Sequence, residues 1–189
     1  MVELETDRLR IREVLASDAD DFLRYWQQED YWRHVPIERP TADSIAAKVD
    51  GWIKSQIRNP RAAYHLVVTD KRSNQMVGDA GLYIRDFGQG EIGWGVISGH
   101  TSQGLATEIG QALLRLGFDT LGLHRVFAQC HVENYASRRI MAKLGMQEEG
   151  VLRDNIFARG EWWSSAQSSI LSSEWRSNDR KEAWGQAGQ

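Results

Sequence analysis

The sequence predicts one mixed α/β domain, with an antiparallel sheet in its first half and a strand–helix–strand crossover in its second. Three observations carry this. Apolar residues recur with a period of two in some segments and of three to four in others, so strands and amphipathic helices both occur. Three strand-like runs between residues 64 and 97 are separated only by short turn sequences, which favours an antiparallel meander. An amphipathic helix then stands between strand-like runs at 91–97 and 125–132, the order that a crossover connection uses. Nothing repeats internally and no segment has linker composition, so residues 1–176 are read as one domain and 177–189 as a polar tail that frays.

Each element follows from its local pattern. Residues 8–14 alternate Leu9 and Ile11 against Arg8, Arg10 and Arg12, the mark of a strand with one buried face. Ser17, Asp18 and Asp20 supply a polar helix start, and Phe22, Leu23 and Trp26 follow at helical spacing. A second helix covers 41–57 with a stripe of Ile45, Val49, Trp52, Ile53 and Ile57. It stops at Asn59-Pro60, because proline disfavours helical backbone in its predecessor. Strands at 64–69, 76–85 and 91–97 are divided by turn residues at 71–74 and 88–90. A helix over 102–118, a buried strand at 125–132 and a helix over 134–144 ended by Gly145 come next. Two strands, 147–158 and 162–172, join across Arg159-Gly160. Trp162 and Trp163 must then point to opposite faces, one buried and one open to solvent.

Composition narrows the function classes. A net charge of −3 argues against a nucleic-acid binder, which carries a basic excess. The single cysteine, Cys130, leaves no intrachain disulfide and suits a reducing compartment. The opening stretch MVELETDRLR lacks the apolar core of a secretory signal, and no apolar run reaches the ~18 residues of a membrane span. A cytoplasmic protein without membrane association is expected. The five histidines show no ligand spacing, and Cys130 and His131 point to opposite faces of their strand, so no metal is expected.

The stretch SQGLATEIGQALLRLGF, residues 102–118, says most about function. Ala106, Ile109, Leu113 and Leu116 lay one helix face on a sheet. At the helix start, Gly104 lets main chain approach a ligand with no side chain between. The first turn of any helix also offers unpaired N–H groups and the positive end of its dipole, which together suit an anion such as a pyrophosphate. Taken alone, the glycine is equally consistent with ordinary turn chemistry. Neither Gly-Lys-Ser/Thr nor Gly-x-Gly-x-x-Gly is present, which argues against the two common nucleotide loops.

The run Thr101-Ser102-Gln103-Gly104-Leu105-Ala106 resembles the acyl-CoA loop of the GCN5-related N-acetyltransferases (GNAT), whose motif reads Gln/Arg-x-x-Gly-x-Gly/Ala. Colinear stretches extend the likeness over roughly residues 2–175: Thr6-Asp7-Arg8-Leu9-Arg10-Ile11-Arg12, Glu91-Ile92-Gly93-Trp94, and Leu123-His124-Arg125-Val126. Asn134-Tyr135-Ala136-Ser137 through Met146, and Glu149-Gly150-Val151-Leu152-Arg153-Asp154 with Gly160-Glu161-Trp162, continue it. The chain is most similar to the ribosomal-protein-alanine acetyltransferase branch. Thr101 stands where Gln or Arg is usual and Ser102 where Gly is common, so one side-chain contact to the pyrophosphate is put in doubt.

That resemblance implies a mostly antiparallel, twisted sheet of about seven strands, splayed between the fourth and fifth and flanked by about four helices. It implies transfer of an acetyl group from acetyl-CoA to a primary amine through a tetrahedral intermediate. It also implies roles. The thioester and pantetheine would run along Trp94, Gly95, Val96 and Ile97, with a main-chain N–H as oxyanion donor. Gly93 and Gly95 are open to a second reading, relief of crowding around Trp94. Ser102, Gln103, Gly104, Leu105, Ala106 and Thr107 would cradle the diphosphate. Asn134 would contact the pantetheine arm and Ser137 would serve as general acid at the sulfur, with Tyr135 ranked second. Helix capping is the other reading of Asn134 and Ser137. Glu91 is the first candidate base, set against an edge charge, with Asp79 and Glu108 behind it. Arg139 and Lys143, together with Arg138, would meet the 3′-phosphate of CoA or form a solvated face. Tyr31, Trp32 and His34, with Asp79, would line the acceptor groove.

Protonation bears on the acceptor. At pH 7 a lysine amine with a pKa of about 10.4 is neutral roughly 0.04% of the time, an α-amine near 7.8 about 14%. A weakly specified base is better tolerated with the second, so a protein N-terminus is favoured. A polyamine or antibiotic acetyltransferase and a non-catalytic acyl-CoA-binding module are the alternatives, and both a monomer and a homodimer fit.

Overall fold

Residues 1–176 are described by the computed structural model, and the polar tail expected at 177–189 lies outside the described residues. A three-residue strand, β1 (Glu3–Glu5), too short to show a period, pairs with β2 (Leu9–Glu13). Alternation in β2 buries Leu9, Ile11 and Glu13, and Arg61 pairs with the buried Glu13 carboxylate at 2.7 Å. A 3-10 turn at Ala16–Asp18, in the polar stretch that signals a helix start, leads directly into helix α1 (Ala19–Trp26). The Asp18 carboxylate accepts from Leu15 N at 2.7 Å and holds Arg12 at 2.8 Å. A single turn, α2 (Glu29–Trp32), is followed by α3 (Ala42–Gln56), which opens on a capping box between Thr41 and Ser44.

The expected meander is β3 (Ala63–Asp70), β4 (Met76–Arg85) and β5 (Gln89–Val96). Helix α4 (Leu105–Arg115) runs into a π turn at Leu116–Thr120 and leads to β6 (Arg125–His131). Then come α5 (Tyr135–Lys143), β7 (Gln147–Ala158), β8 (Glu161–Leu171) and a helical turn at 172–176. Gly145, with φ +78°, ends α5 as its sequence position predicts. Trp163 is buried and Trp162 exposed, as alternation requires.

The strands form one sheet in the order β1-β2-β3-β4-β5-β6-β8-β7, and every neighbouring pair is antiparallel except β5–β6. This is the expected mostly antiparallel sheet, with β1 as a strand beyond those the sequence showed. The parallel pair is its seam. Only Gln89, Gly90 and Glu91 pair, with Arg125, Val126 and Phe127, and both strands then run on without each other. The sheet is splayed there, between the fourth and fifth strands of the sequence reading. One face carries a core with α4 and α5, around Leu82, Ile92, Ile109, Leu113 and Met141. The other packs Phe22, Trp26, Ile45 and Val49 of α1 and α3 against Val67. The splay therefore opens between two separately packed layers.

Candidate active site

Beyond Glu91 the β5 main chain faces a gap. Ile97 N–H donates to Val77 O at 2.9 Å on the β4 side. Strand alternation therefore turns the N–H groups of Trp94 and Val96 the other way, toward the absent partner. The gap continues as a groove of about 800 Å³ between the starts of α4 and α5. Ser102, Gly104, Leu105, Ala106 and Thr107 line its α4 side, and Trp94 and Val96 line its sheet side. Asn134, Tyr135, Ser137, Arg139 and Lys143 line its α5 side.

Gly104, at φ +81°, precedes α4 with no side-chain cap on the helix. A Cβ at Gly104 would meet only Arg8 Nη2, at 3.6 Å, so the first turn has room beside it for a ligand. Ser102 also has positive φ, +61°, a conformation that explains why glycine is common at this point of the motif. The loop is held from the turn between β1 and β2. Arg8 Nη1 donates to Gln103 O at 2.8 Å, and Arg8 Nη2 pairs with Glu108 at 2.6 Å. Burial alone would raise the Glu108 pKa, but hydrogen bonds from Thr6 and Arg8 outweigh it and hold Glu108 below the usual carboxylate range. Glu108 is thus a clasp between the β1–β2 turn and α4.

At α5, Asn134 Oδ1 accepts from Ser137 N at 3.0 Å, the capping bond, which leaves the Ser137 hydroxyl out of the cap. The neighbouring cations separate. Arg139 and Lys143 line the groove, whereas Arg138 pairs with Glu148 at 2.8 Å.

A second cavity, of about 320 Å³, lies on the other face of β4 and β5, under α1–α3. It meets the groove at Tyr31, Val35 and Trp94, which line both. Asp79 stands in its wall, opposite Gly95 in the ladder, and the Tyr25 hydroxyl donates to its carboxylate. A Cβ on Gly95 would collide with both Tyr25 Oη and Asp79 Oδ1. Glycine at 95 therefore lets this pair lie over the β5 main chain. Gly93, by contrast, has open space around it. Burial pushes the Asp79 pKa up to about 6, against its own main-chain hydrogen bond and the one from Tyr25. Burial, and then the charge of Asp79, also raise Tyr25, Tyr31 and Tyr83, which stay protonated.

Besides Glu108 and Arg138, four expected residues line neither cavity. Glu91 is ion-paired with Arg85 on the sheet surface. Ile97 packs into the α1–α3 core, and Gln103 meets Arg8 through its carbonyl. Trp32 is buried with the Arg39 guanidinium 5.6 Å from its ring centroid. His34 does line the groove, stacked on His131 at 5.5 Å, and burial first, then His131, lower its pKa. Sequence reasoning passed over Arg8, Tyr25 and Tyr83. Tyr25 sits between Phe22 and Trp26 in an apolar stripe and reads as core. Only its hydroxyl hinted at a buried polar partner.

A sequence model of the family described as "Acetyltransferase (GNAT) domain" matches residues 8–147. The chain is 31% identical over 176 residues to the uncharacterized N-acetyltransferase YnaD of Bacillus subtilis, covering 92% of this chain and 99% of that one. It is 26% identical over 187 residues to the ribosomal protein uS5-alanine N-acetyltransferase of Escherichia coli, covering 92% and 93%. A solved acetyltransferase (GNAT family) from Bacillus anthracis superposes with a TM-score of 0.81 at 28% identity, covering 92% and 100%.

Proposed function

The chain belongs to the GNAT acetyltransferase family and is an acetyl-CoA-dependent N-acetyltransferase, and we propose that its acceptor is a protein or peptide N-terminal α-amine. The observation that carries this reading is the junction at Trp94, where the long groove meets a cavity holding one carboxylate of raised pKa. In this reading the α4 end of the groove takes the diphosphate on first-turn N–H groups, with Arg139 and Lys143 near the 3′-phosphate. The thioester carbonyl lies against the N–H of Trp94 or Val96, which holds the oxyanion as it forms.

Asp79, not Glu91, is the base of this mechanism. It lines the smaller cavity, while Glu91 is held by Arg85. At neutral pH Asp79 is mostly ionised, yet more basic than an ordinary carboxylate, the compromise that general-base catalysis favours. The α-ammonium gives a proton to Asp79, and the free amine attacks the carbonyl carbon. Collapse of the tetrahedral species breaks the carbon–sulfur bond, and the second amine proton reaches the thiolate through the Ser137 hydroxyl. A thiol of pKa about 8.5 is a good leaving group, so a weak acid suffices.

The pKa gap selects among amines. Moving a proton to Asp79, at about 6, is uphill by ~2.4 kcal/mol from an α-ammonium near 7.8 and by ~6 kcal/mol from lysine near 10.4. The E. coli relative is named for acetylating an alanine of uS5, a further support. The single cysteine supports a cytoplasmic setting. The test is a peptide bearing a free α-amine and an internal lysine, incubated with the enzyme and acetyl-CoA and mapped by tandem mass spectrometry. Acetyl on the α-nitrogen in at least about tenfold excess is expected. Acetyl confined to the lysine would overturn the reading.

A further inference from the structure

We propose that the smaller cavity is an aromatic cage that selects acceptors whose amine stands on an uncharged apolar or aromatic body. For a peptide, that body is the side chain of its first residue. The inference rests on the reading of this cavity as the acceptor site.

Ring contacts run unbroken along the cavity wall. Tyr31 stacks on Trp26 with centroids 5.5 Å apart, and Trp26 meets Trp52 edge-on at 5.8 Å. Trp52 stacks on His65 at 4.8 Å, and His65 meets Tyr83 at 5.3 Å. All five rings line the cavity. Beside them the sheet offers Asp79 and the open main chain at Gly93, while Gly81 is covered by the Tyr83 ring and Gly95 by Tyr25 and Asp79. The lining contains one carboxylate and no lysine or arginine.

The wall is otherwise uncharged at neutral pH. Burial, aided by Arg61 and Lys48, pushes His65 down to about 4, and burial keeps Tyr31 and Tyr83 protonated. Ring faces attract a cation and also accept apolar surface. An ammonium at Asp79 with an apolar body among the rings satisfies both. Within this cavity a second ammonium, as in a polyamine, has no second carboxylate to pair with. The carboxylate of a free amino acid has no cation to meet and stands near Asp79. Buried charge without a partner is expelled, so both classes are discriminated against.

The test measures thiol release and product mass for the full chain with acetyl-CoA. Acceptors are amidated tripeptides differing only in a first phenylalanine, leucine, aspartate or lysine, alongside phenethylamine, spermidine and free phenylalanine. The phenylalanine- and leucine-first peptides should exceed the aspartate- and lysine-first ones at least about tenfold in kcat/KM. Phenethylamine should exceed spermidine and free phenylalanine by a similar factor. Peptides outranking phenethylamine would identify a polypeptide source, and the reverse a small amine; both orders keep the cage. An even or inverted ranking within the peptides overturns it.

Binding separates the two readings, because Trp26, Trp52 and Trp94 line the cavity and report its occupancy by fluorescence. If no amine is acetylated yet phenethylamine alone perturbs that signal, the transfer reading fails and the cage stands. If phenethylamine and spermidine act alike, the cage fails. Trp52→Leu should raise KM for the phenylalanine-first peptide about tenfold, and Trp52→Phe should bring it back to within about threefold. No rise in Trp52→Leu, or an equal rise in both, counts against the cage. If Trp52→Leu does not fold, Tyr83→Leu against Tyr83→Phe makes the same comparison.

Discussion

At its α4 end the groove is lined by mostly small residues of one stretch, 98–107, facing residues 133–143 of the α5 side, and residues 25–35 with Trp94 and Val96 complete it. Across β5, the cavity is walled by rings and one carboxylate drawn from α1, the α2–α3 region, β3 and β4. Both meet at Trp94, yet they recognise by different means. Main-chain recognition requires small residues and particular φ values, so it leaves a compact mark in sequence. Side-chain recognition spreads over distant positions, each of which can change without disturbing the sheet. A donor common to a family suits the first, and an acceptor that differs among its members suits the second.

The comparison breaks most decisively at Asp79. Asp79→Asn should lower kcat/KM by about 10²–10⁴ while leaving the Kd for acetyl-CoA unchanged. The wild-type rate should fall as pH drops through about 6 and Asp79 takes its proton, and the variant should lose that limb. Stability should move the other way. A carboxyl raised on folding binds more protons in the folded state, so its penalty grows as pH rises from ~4 to ~6 and is full above that. Removing the charge should stabilise the protein at pH 8 by at most ~3 kcal/mol, and nearer ~1 where cavity water solvates the carboxylate. Denaturation at pH 8 and pH 4 checks the sign, with the gain confined to the higher pH. A variant that is both inactive and less stable at pH 8 would contradict it.

Two glycines sharpen the contrast. Gly95→Ala drives a methyl group into Tyr25 and Asp79, and should cost ~1–3 kcal/mol of stability and about 10²-fold in turnover. Gly104→Ala meets open space but holds φ +81°. It should cost ~1 kcal/mol in strain and raise KM for acetyl-CoA without changing KM for the acceptor. Steady-state kinetics in both substrates checks this. Equal effects on the acceptor KM from both variants would mean that the two regions are not separate.

The smallest effects belong to the cations. Arg139→Ala and Lys143→Ala should each weaken acetyl-CoA about two- to fivefold, less at high salt, and leave dephospho-CoA binding alone. Arg138→Ala should change neither, because Glu148 already holds that guanidinium.

The same contrast explains what could be read in the sequence. Element order was legible because strand period, glycine placement and helix starts are local signals, whereas the splay and the role of the 101–106 loop were expected only through the resemblance to the GNAT family. β1 and α2 escaped because three or four residues show no period. The surroundings of Glu91 and Trp32 were hidden for a different reason. Their partners, Arg85 and Arg39, decide which way each faces, and no local pattern reveals that. The pairing of Tyr25 with Asp79 spans α1 and β4 and exists only once the helix lies on the sheet.

The most direct measurement is a crystal structure with a ketone analogue of acetyl-CoA, in which a methylene separates sulfur from carbonyl. The account predicts the diphosphate on the first turn of α4 and the carbonyl oxygen ~2.9 Å from the N–H of Trp94 or Val96. A carbonyl turned away from β5, or a diphosphate bound elsewhere, would contradict it.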